Sequence, residues 1–88
     1  MADASIDKKI EETVRGTISK LSGLKPSEID PHAHFVKALG IDSVNIVELT
    51  VAIEKDFGIT IDDLIISQMY SIDSTVKTVV KIIKSEYE

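Results

Sequence analysis

Between Val44 and Phe57 apolar residues recur at helical spacing on two sides of the chain, and this limits the fold more than any other feature. At about 100° per residue, Ile46, Leu49, Thr50, Ile53 and Phe57 gather on one side, which must face a core. Val44, Val47 and Val51 gather nearly opposite, interleaved with Glu48, Glu54 and Lys55. A helix that is apolar on two sides is either buried all round or offers its second stripe to something else. In an 88-residue chain full burial of a central helix is hard to arrange. The second stripe therefore reads as a docking surface framed by acids. The plain alternative is three scattered surface valines, since isolated exposed apolar residues are ordinary.

Two more stretches share the period. Ile6, Ile10, Val14, Ile18 and Leu21 form one stripe from Ser5 to Leu21, with Ser5 expected as N-cap and Gly23 as terminator. From Ser71–Ser74 onward, Ile72, Val76, Val79, Val80, Ile83 and Tyr87 form another, with Lys77, Lys81 and Lys84 outside. Gly58 closes the central helix, Ile59-Thr60-Ile61 is an extended connector, and Asp62 or Asp63 caps a short helix from Leu64 to about Met69. Leu64, Ile65 and Ile66 are too consecutive for one face of a short surface helix. Either they line an interior able to accept an apolar guest or they serve packing alone.

Between Ser22 and Asp42 the period breaks, because Pro26 and Pro31 deny a continuous helix. A loop of that length in so small a domain is functional or tied down by its own side chains. Leu24, Ile29, Phe35 and Leu39 are the expected anchors, with a short turn near Ser27 to Ile29. The chain reads as all-α: a four-helix bundle of three main helices and a short third, with a long loop after the first, in one domain over residues 1–88.

Composition excludes several classes. There is no cysteine, hence no disulfide or thiolate metal site. No apolar run approaches the roughly 20 residues that cross a bilayer, and the polar start lacks a signal-peptide pattern, so a soluble cytoplasmic protein is expected. The net charge of −5 argues against nucleic-acid binding. From Asp42 to Asp73 seven acids face one base, Lys55, a net of −6 that leaves the rest of the chain at +1. Such a surface draws in basic partners, although any single acid among these can equally be a solvated cap.

Catalytic signatures are weak. His32 and His34 form a His-x-His pair, but without further ligands nearby no metal is expected, and exposure or local hydrogen bonding is the expected role. Ser43 lacks the Gly-x-Ser-x-Gly elbow of a hydrolase nucleophile, and the glycines are too dispersed for a phosphate loop. Ser43 does open a helix, where unpaired N–H groups and the helix dipole favour a phosphate. Simple capping, with Asp42 as N-cap and Ser43 in the first turn, accounts for both residues equally well.

The wording goes further. Phe35-Val36 followed by Leu39-Gly40-Ile41-Asp42-Ser43 resembles the approach to the attachment site of the acyl carrier proteins, Phe-Val and then Leu-Gly-x-Asp-Ser. Val47-Glu48-Leu49 and Ala52-Ile53-Glu54 continue the likeness to Phe57, where the family closes that helix with phenylalanine, and the resemblance spans the first helix to about Ile83. It implies a four-helix bundle with a short third helix. It implies that Ser43 accepts 4′-phosphopantetheine from coenzyme A through a separate magnesium-dependent phosphopantetheinyl transferase, which Asp42 helps to engage. The chain would then be a stand-alone, monomeric carrier rather than an enzyme, its arm holding acyl thioesters for fatty-acid or related lipid synthesis. A polyketide or other discrete acyl pathway is the alternative, and an unmodified helical interaction module is the reading from another class.

By the same resemblance Val44, Val47, Glu48, Val51 and Glu54 form the recognition surface for acyl-transferring and acyl-modifying enzymes with basic docking patches. Phe35, Leu49, Ile53, Ile61, Leu64 and Ile66 would line an interior that shelters the acyl chain. The sequence departs from the family pattern at Val44, where leucine is usual, at Asn45, where aspartate is common, and at Lys37-Ala38 and Lys55, which interrupt acidic positions. These changes weaken the negative face and point to a specialised set of partners.

Overall fold

α1 spans Ala2–Ser22, α2 Ser43–Phe57, α3 Asp63–Ile66 and α4 Ile72–Tyr87, with a 3-10 turn at Pro26–Glu28. The computed structural model describes residues 2–87, and side chains for residues 6–85. α1 packs against both α2 and α4, as the all-α reading requires. The apolar stripes meet in one core: Ile10, Val14 and Ile18 from α1, Ile46, Leu49 and Ile53 from α2, Ile72 and Val79 from α4. Each such side chain contributes about 1.5–3 kcal/mol of burial, so this core holds the helices together. Phe57, Val76, Val80 and Ile83 close its margins half-buried. The side chain of Tyr87, expected on the inner face of α4, lies outside the described residues.

Two boundaries and one loop anchor differ from expectation. α1 already includes Ala2, so Ser5 lies inside the helix instead of capping it. Alanine, which stands at 2 and 4, is the best helix former. α3 stops at Ile66 instead of running to Met69. There the chain tightens, Gln68 N–H donating to Ile65 O and Met69 N–H to Ile66 O at 2.9 Å, and Met69 turns into the core. Leu24, expected to anchor the long loop, is exposed.

The loop is held both by its apolar anchors and by polar bonds that no hydrophobic pattern reveals. Ile29 and Phe35 are buried and Leu39 half-buried, but Arg15 of α1 reaches across to donate from Nη1 to Pro26 O and Ile29 O, both at 2.7 Å. Its Nη2 pairs with Glu11 at 2.9 Å. Further along, Asp73 N–H donates to Pro31 O at 2.9 Å and Phe35 N–H to Tyr70 O at 2.8 Å, tying the loop to the start of α4. Because charged hydrogen bonds contribute about 1.5–3 kcal/mol, Arg15→Ala is expected to cost that much in urea unfolding, and lysine, a point charge without the planar fork, is expected to restore little of it. An alanine variant as stable as the parent would mean that the loop is held without the guanidinium.

α4 opens on a reciprocal cap. Ser74 N–H donates to Ser71 Oγ at 3.1 Å, and Ser71 N–H to Ser74 Oγ at 3.0 Å, so two serines do what a serine–glutamate pair does in a capping box. One turn on, Thr75 is fully buried and its hydroxyl makes no hydrogen bond. Leaving a buried hydroxyl unpaired costs about 1–3 kcal/mol, so Thr75→Val is expected to stabilise the fold by about 1 kcal/mol. The check is a higher urea midpoint at unchanged m-value. A lower midpoint would show that the hydroxyl has a partner in solution.

Candidate functional site: the amino end of α2

Gly40 turns the chain at φ 67°, a left-handed conformation that costs a side-chain-bearing residue about 1–2 kcal/mol. Directly after it Ile41 is buried, and its N–H donates to Phe35 O at 3.0 Å. Phe35 and Ile41 thus pin both ends of the exposed segment Val36–Ala38, and the next two residues, Asp42 and Ser43, are delivered to the surface. Asp42 is the N-cap expected from its sequence: its Oδ1 accepts from Val44 N–H at 3.1 Å. Ser43 is exposed in the first turn, its hydroxyl making only a long 3.5 Å contact to Asp42 Oδ1. The first turn of α2 holds no acid of its own, so the helix dipole at Ser43 is offset only by the cap carboxylate.

Ser43 also lines a cleft of about 230 Å³ between the long loop and the segment after α3. Phe35, Ile46, Ile66 and Met69 supply its apolar lining, and His34, Ser67 and Tyr70 its polar groups. The rings of His34 and Tyr70 stack with centroids 5.7 Å apart and 22° between planes. His34 Nδ1 accepts from Val36 N–H and Lys37 N–H, both at 3.2 Å, which is the local hydrogen bonding expected of this histidine. Among the described residues no three His, Cys, Asp or Glu side chains come together to hold a metal.

The second stripe of α2 faces outward as read from its period: Val44, Val47 and Val51 are 67, 52 and 45% exposed, with Glu48 exposed beside them. Glu54 stands differently. It is half-buried, and its Oε2 accepts from Ile61 N–H at 2.8 Å, so it also braces the connector after α2. The six residues expected to line an acyl interior separate into three groups. Phe35 and Ile66 border the cleft beside Ser43, while Leu49, Ile53 and Ile61 are packed in the core. Leu64 departs from the expectation: it is 83% exposed. Asp62 Oδ1 caps α3 by accepting from Leu64 N–H at 2.8 Å, and a helix of one turn has no room to bury three successive apolar residues on one face.

Sequence reasoning did not find Tyr70, Met69 or Ser67 at this site. No spacing links them to Ser43, and only the turn that ends α3 brings them there.

Comparison with known proteins identifies the family. The family model described as the phosphopantetheine attachment site matches residues 12–83. The chain belongs to the acyl carrier proteins. Acyl carrier proteins of Nitratidesulfovibrio vulgaris, from strain DP4 and from the Hildenborough strain, are each 43% identical to it over 54 residues, covering 61% of this chain and 71% of theirs. Among solved structures, the apo doublet acyl carrier protein from prodigiosin biosynthesis superposes with a TM-score of 0.69 at 22% identity over 88% of this chain. That likeness is one of fold, and the chain spans only 37% of the doublet's length. The cofactor of this carrier is therefore phosphopantetheine, and the role of its family is carriage, not catalysis. Phosphopantetheinyl transferases and acyl-handling enzymes are the partners of the family in general. No helix among the described residues is long and apolar enough to cross a membrane.

The amino end of α2 fits such a group. An attachment hydroxyl must be open to an incoming coenzyme, and the Ser43 hydroxyl is exposed at the positive end of a 15-residue helix with a cleft beside it.

Proposed function

We propose that Ser43 is the attachment point and that residues 1–88 act as one carrier domain. The observation that carries this reading is the exposed hydroxyl at the start of α2, presented by the Gly40 turn and by a cap that Asp42 provides without it. In loading, the Ser43 oxygen bonds to the phosphorus bearing the pantetheine, the pyrophosphate bond of coenzyme A breaks, the adenosine 3′,5′-bisphosphate leaves, and the hydroxyl proton passes to the transferase. Magnesium would supply neutralisation of the pyrophosphate charge, and Asp42, whose Oδ1 lies 3.5 Å from the Ser43 hydroxyl, is placed to engage the transferase. When bound, the arm supplies a thiol that carries acyl groups as thioesters. Incubation of the full chain with coenzyme A, magnesium and a broad-specificity transferase tests the reading: intact mass is expected to rise by one phosphopantetheine. An unchanged mass across several transferases would favour the unmodified interaction module.

The carrier serves acyl-transferring and acyl-modifying enzymes through Val44, Val47 and Val51, with Glu48 and Glu54 as the framing acids. Fatty-acid or related lipid synthesis is the leading pathway. A specialised acyl or polyketide pathway is the second reading, and one observation favours it: Lys55 is exposed on α2, which also carries Glu48 and Glu54, and Lys37 is exposed in the loop before it. Lys55→Glu together with Asn45→Asp is expected to raise association rates with basic-patch partners at low salt, and the gain should shrink as screening shortens the range of the field. Rates unchanged at low salt would remove charge from the account of partner choice.

A further inference from the structure

We propose that His34 is a positioning residue for the loading of Ser43: its neutral ring caps the turn that leads to Asp42 and Ser43, and protonation removes that cap. This rests on Ser43 as the attachment point. Four successive backbone N–H groups end on this one residue. Its ring Nδ1 accepts from Val36 N–H and Lys37 N–H, both at 3.2 Å. Its carbonyl accepts from Ala38 N–H at 2.9 Å and from Leu39 N–H at 3.1 Å. That is the arrangement of an N-cap, in which a side-chain acceptor takes the second and third N–H groups of the turn it opens. Phe35, the first residue of this turn, accepts from Ile41 N–H on its carbonyl at 3.0 Å, and Asp42 and Ser43 follow at once.

Histidine differs from the usual caps in one respect. Serine, threonine and asparagine keep their acceptor throughout the neutral range, whereas imidazole changes charge between about pH 5 and pH 8. Nδ1 accepts only while it carries no proton, so both ring bonds need the neutral ring. Protonation sets a third N–H against the two already there, in a turn that also carries Lys37. Tyr70 restricts the ring's escape: it stacks on His34 with centroids 5.7 Å apart. Tyr70 is itself held through its backbone, its carbonyl accepting from Phe35 N–H and its N–H donating to Ser74 Oγ. The titratable and charged groups that surround the ring are Asp30, His32 and Lys37 of the loop, Tyr70 and Asp73 at the approach to α4, and Asp42 before α2. Asp30 Oδ1 is engaged by His32 N–H and Asp73 Oδ2 by Lys77, and among the described residues no carboxylate pairs with the His34 ring. The cap is therefore complete at the upper end of the imidazole range and lost toward its lower end. Once it is lost, the turn that presents Ser43 is formed in only a fraction of the molecules, and apparent affinity for the transferase falls by that fraction.

The test loads the full chain from coenzyme A with magnesium and the broad-specificity transferase, from about pH 8 to about pH 5. Wild type is compared with His34→Asn, which keeps a side-chain acceptor and does not titrate. The transferase's own pH dependence is common to both and cancels in the ratio. Wild-type KM for the carrier is expected to match that of His34→Asn at the upper end and to exceed it about fivefold at the lower end, with kcat unchanged; fivefold is the factor a typical cap makes in an equilibrium. His34→Ala should show the raised KM at every pH, and His32→Asn should follow wild type. A second measurement needs no loading: in the unmodified chain the Val36 and Lys37 amide shifts should follow the titration of the His34 ring, and in His34→Asn they should stay flat. A KM ratio near one across the range, or wild-type amide shifts that ignore the ring's titration, would overturn the cap's role while leaving the attachment reading intact. A wild-type chain that gains no arm at any pH would overturn the attachment reading and with it the role in loading.

Discussion

Ser43→Ala is expected to abolish phosphopantetheine loading completely while leaving the fold within about 0.5 kcal/mol of the parent. Both halves follow from the local structure. The cap of α2 is made by Asp42 Oδ1 with Val44 N–H, and the Ser43 hydroxyl adds only a 3.5 Å contact. Alanine is the best helix former, so it should sit in the first turn without strain. The pair of measurements is a melting curve and an intact mass after transferase treatment. A variant that melts like the parent yet gains no mass assigns the loss to one oxygen. A variant that still gains a full arm would mean that another hydroxyl accepts it.

The largest stability effect is expected from Phe35→Ala, about 3–5 kcal/mol, the usual cost of emptying a buried phenylalanine site. Phe35 is fully buried, and its backbone bonds both ways, to Tyr70 O through its N–H and from Ile41 N–H through its carbonyl. For domains whose whole stability is about 5–15 kcal/mol, that loss is a large fraction. It also removes the peg beneath the segment leading to Ser43. Urea unfolding should show the midpoint fall, and hydrogen exchange at Ile41 should quicken more than at Ile10 or Val14 in α1. A cost below 1 kcal/mol would mean that the ring is not enclosed in solution.

How far the sequence carries the reader depends on where the information sits. The two faces of α2 were legible because a 15-residue helix repeats its period four times, enough to separate the core face of Ile46, Leu49 and Ile53 from the outer face of Val44, Val47 and Val51. α3 was not, since one turn carries no period, and Leu64 could be placed on either side until its cap was known. The reach of Arg15 into the loop left no trace: its partners there are carbonyl oxygens, and any residue supplies one. The bracing role of Glu54 was hidden, because an acid on a helix looks alike in sequence whether it faces solvent or also accepts from Ile61 N–H. His34 and Tyr70 are distant in the chain and meet only through the fold, so their stack had no local signature. The attachment motif was legible by likeness to a family; capping rules alone explained Asp42 and Ser43 equally well without any cofactor.

The central claim is that a single side chain tethers the arm, and mapping the adduct tests it most directly. After loading, trypsin should release the peptide from Ala38 to Lys55, in which Ser43 is the one serine. The expected result is the whole phosphopantetheine mass on that peptide, with fragment ions placing it on Ser43. An adduct on any other peptide, or on Thr50 within this one, would contradict it.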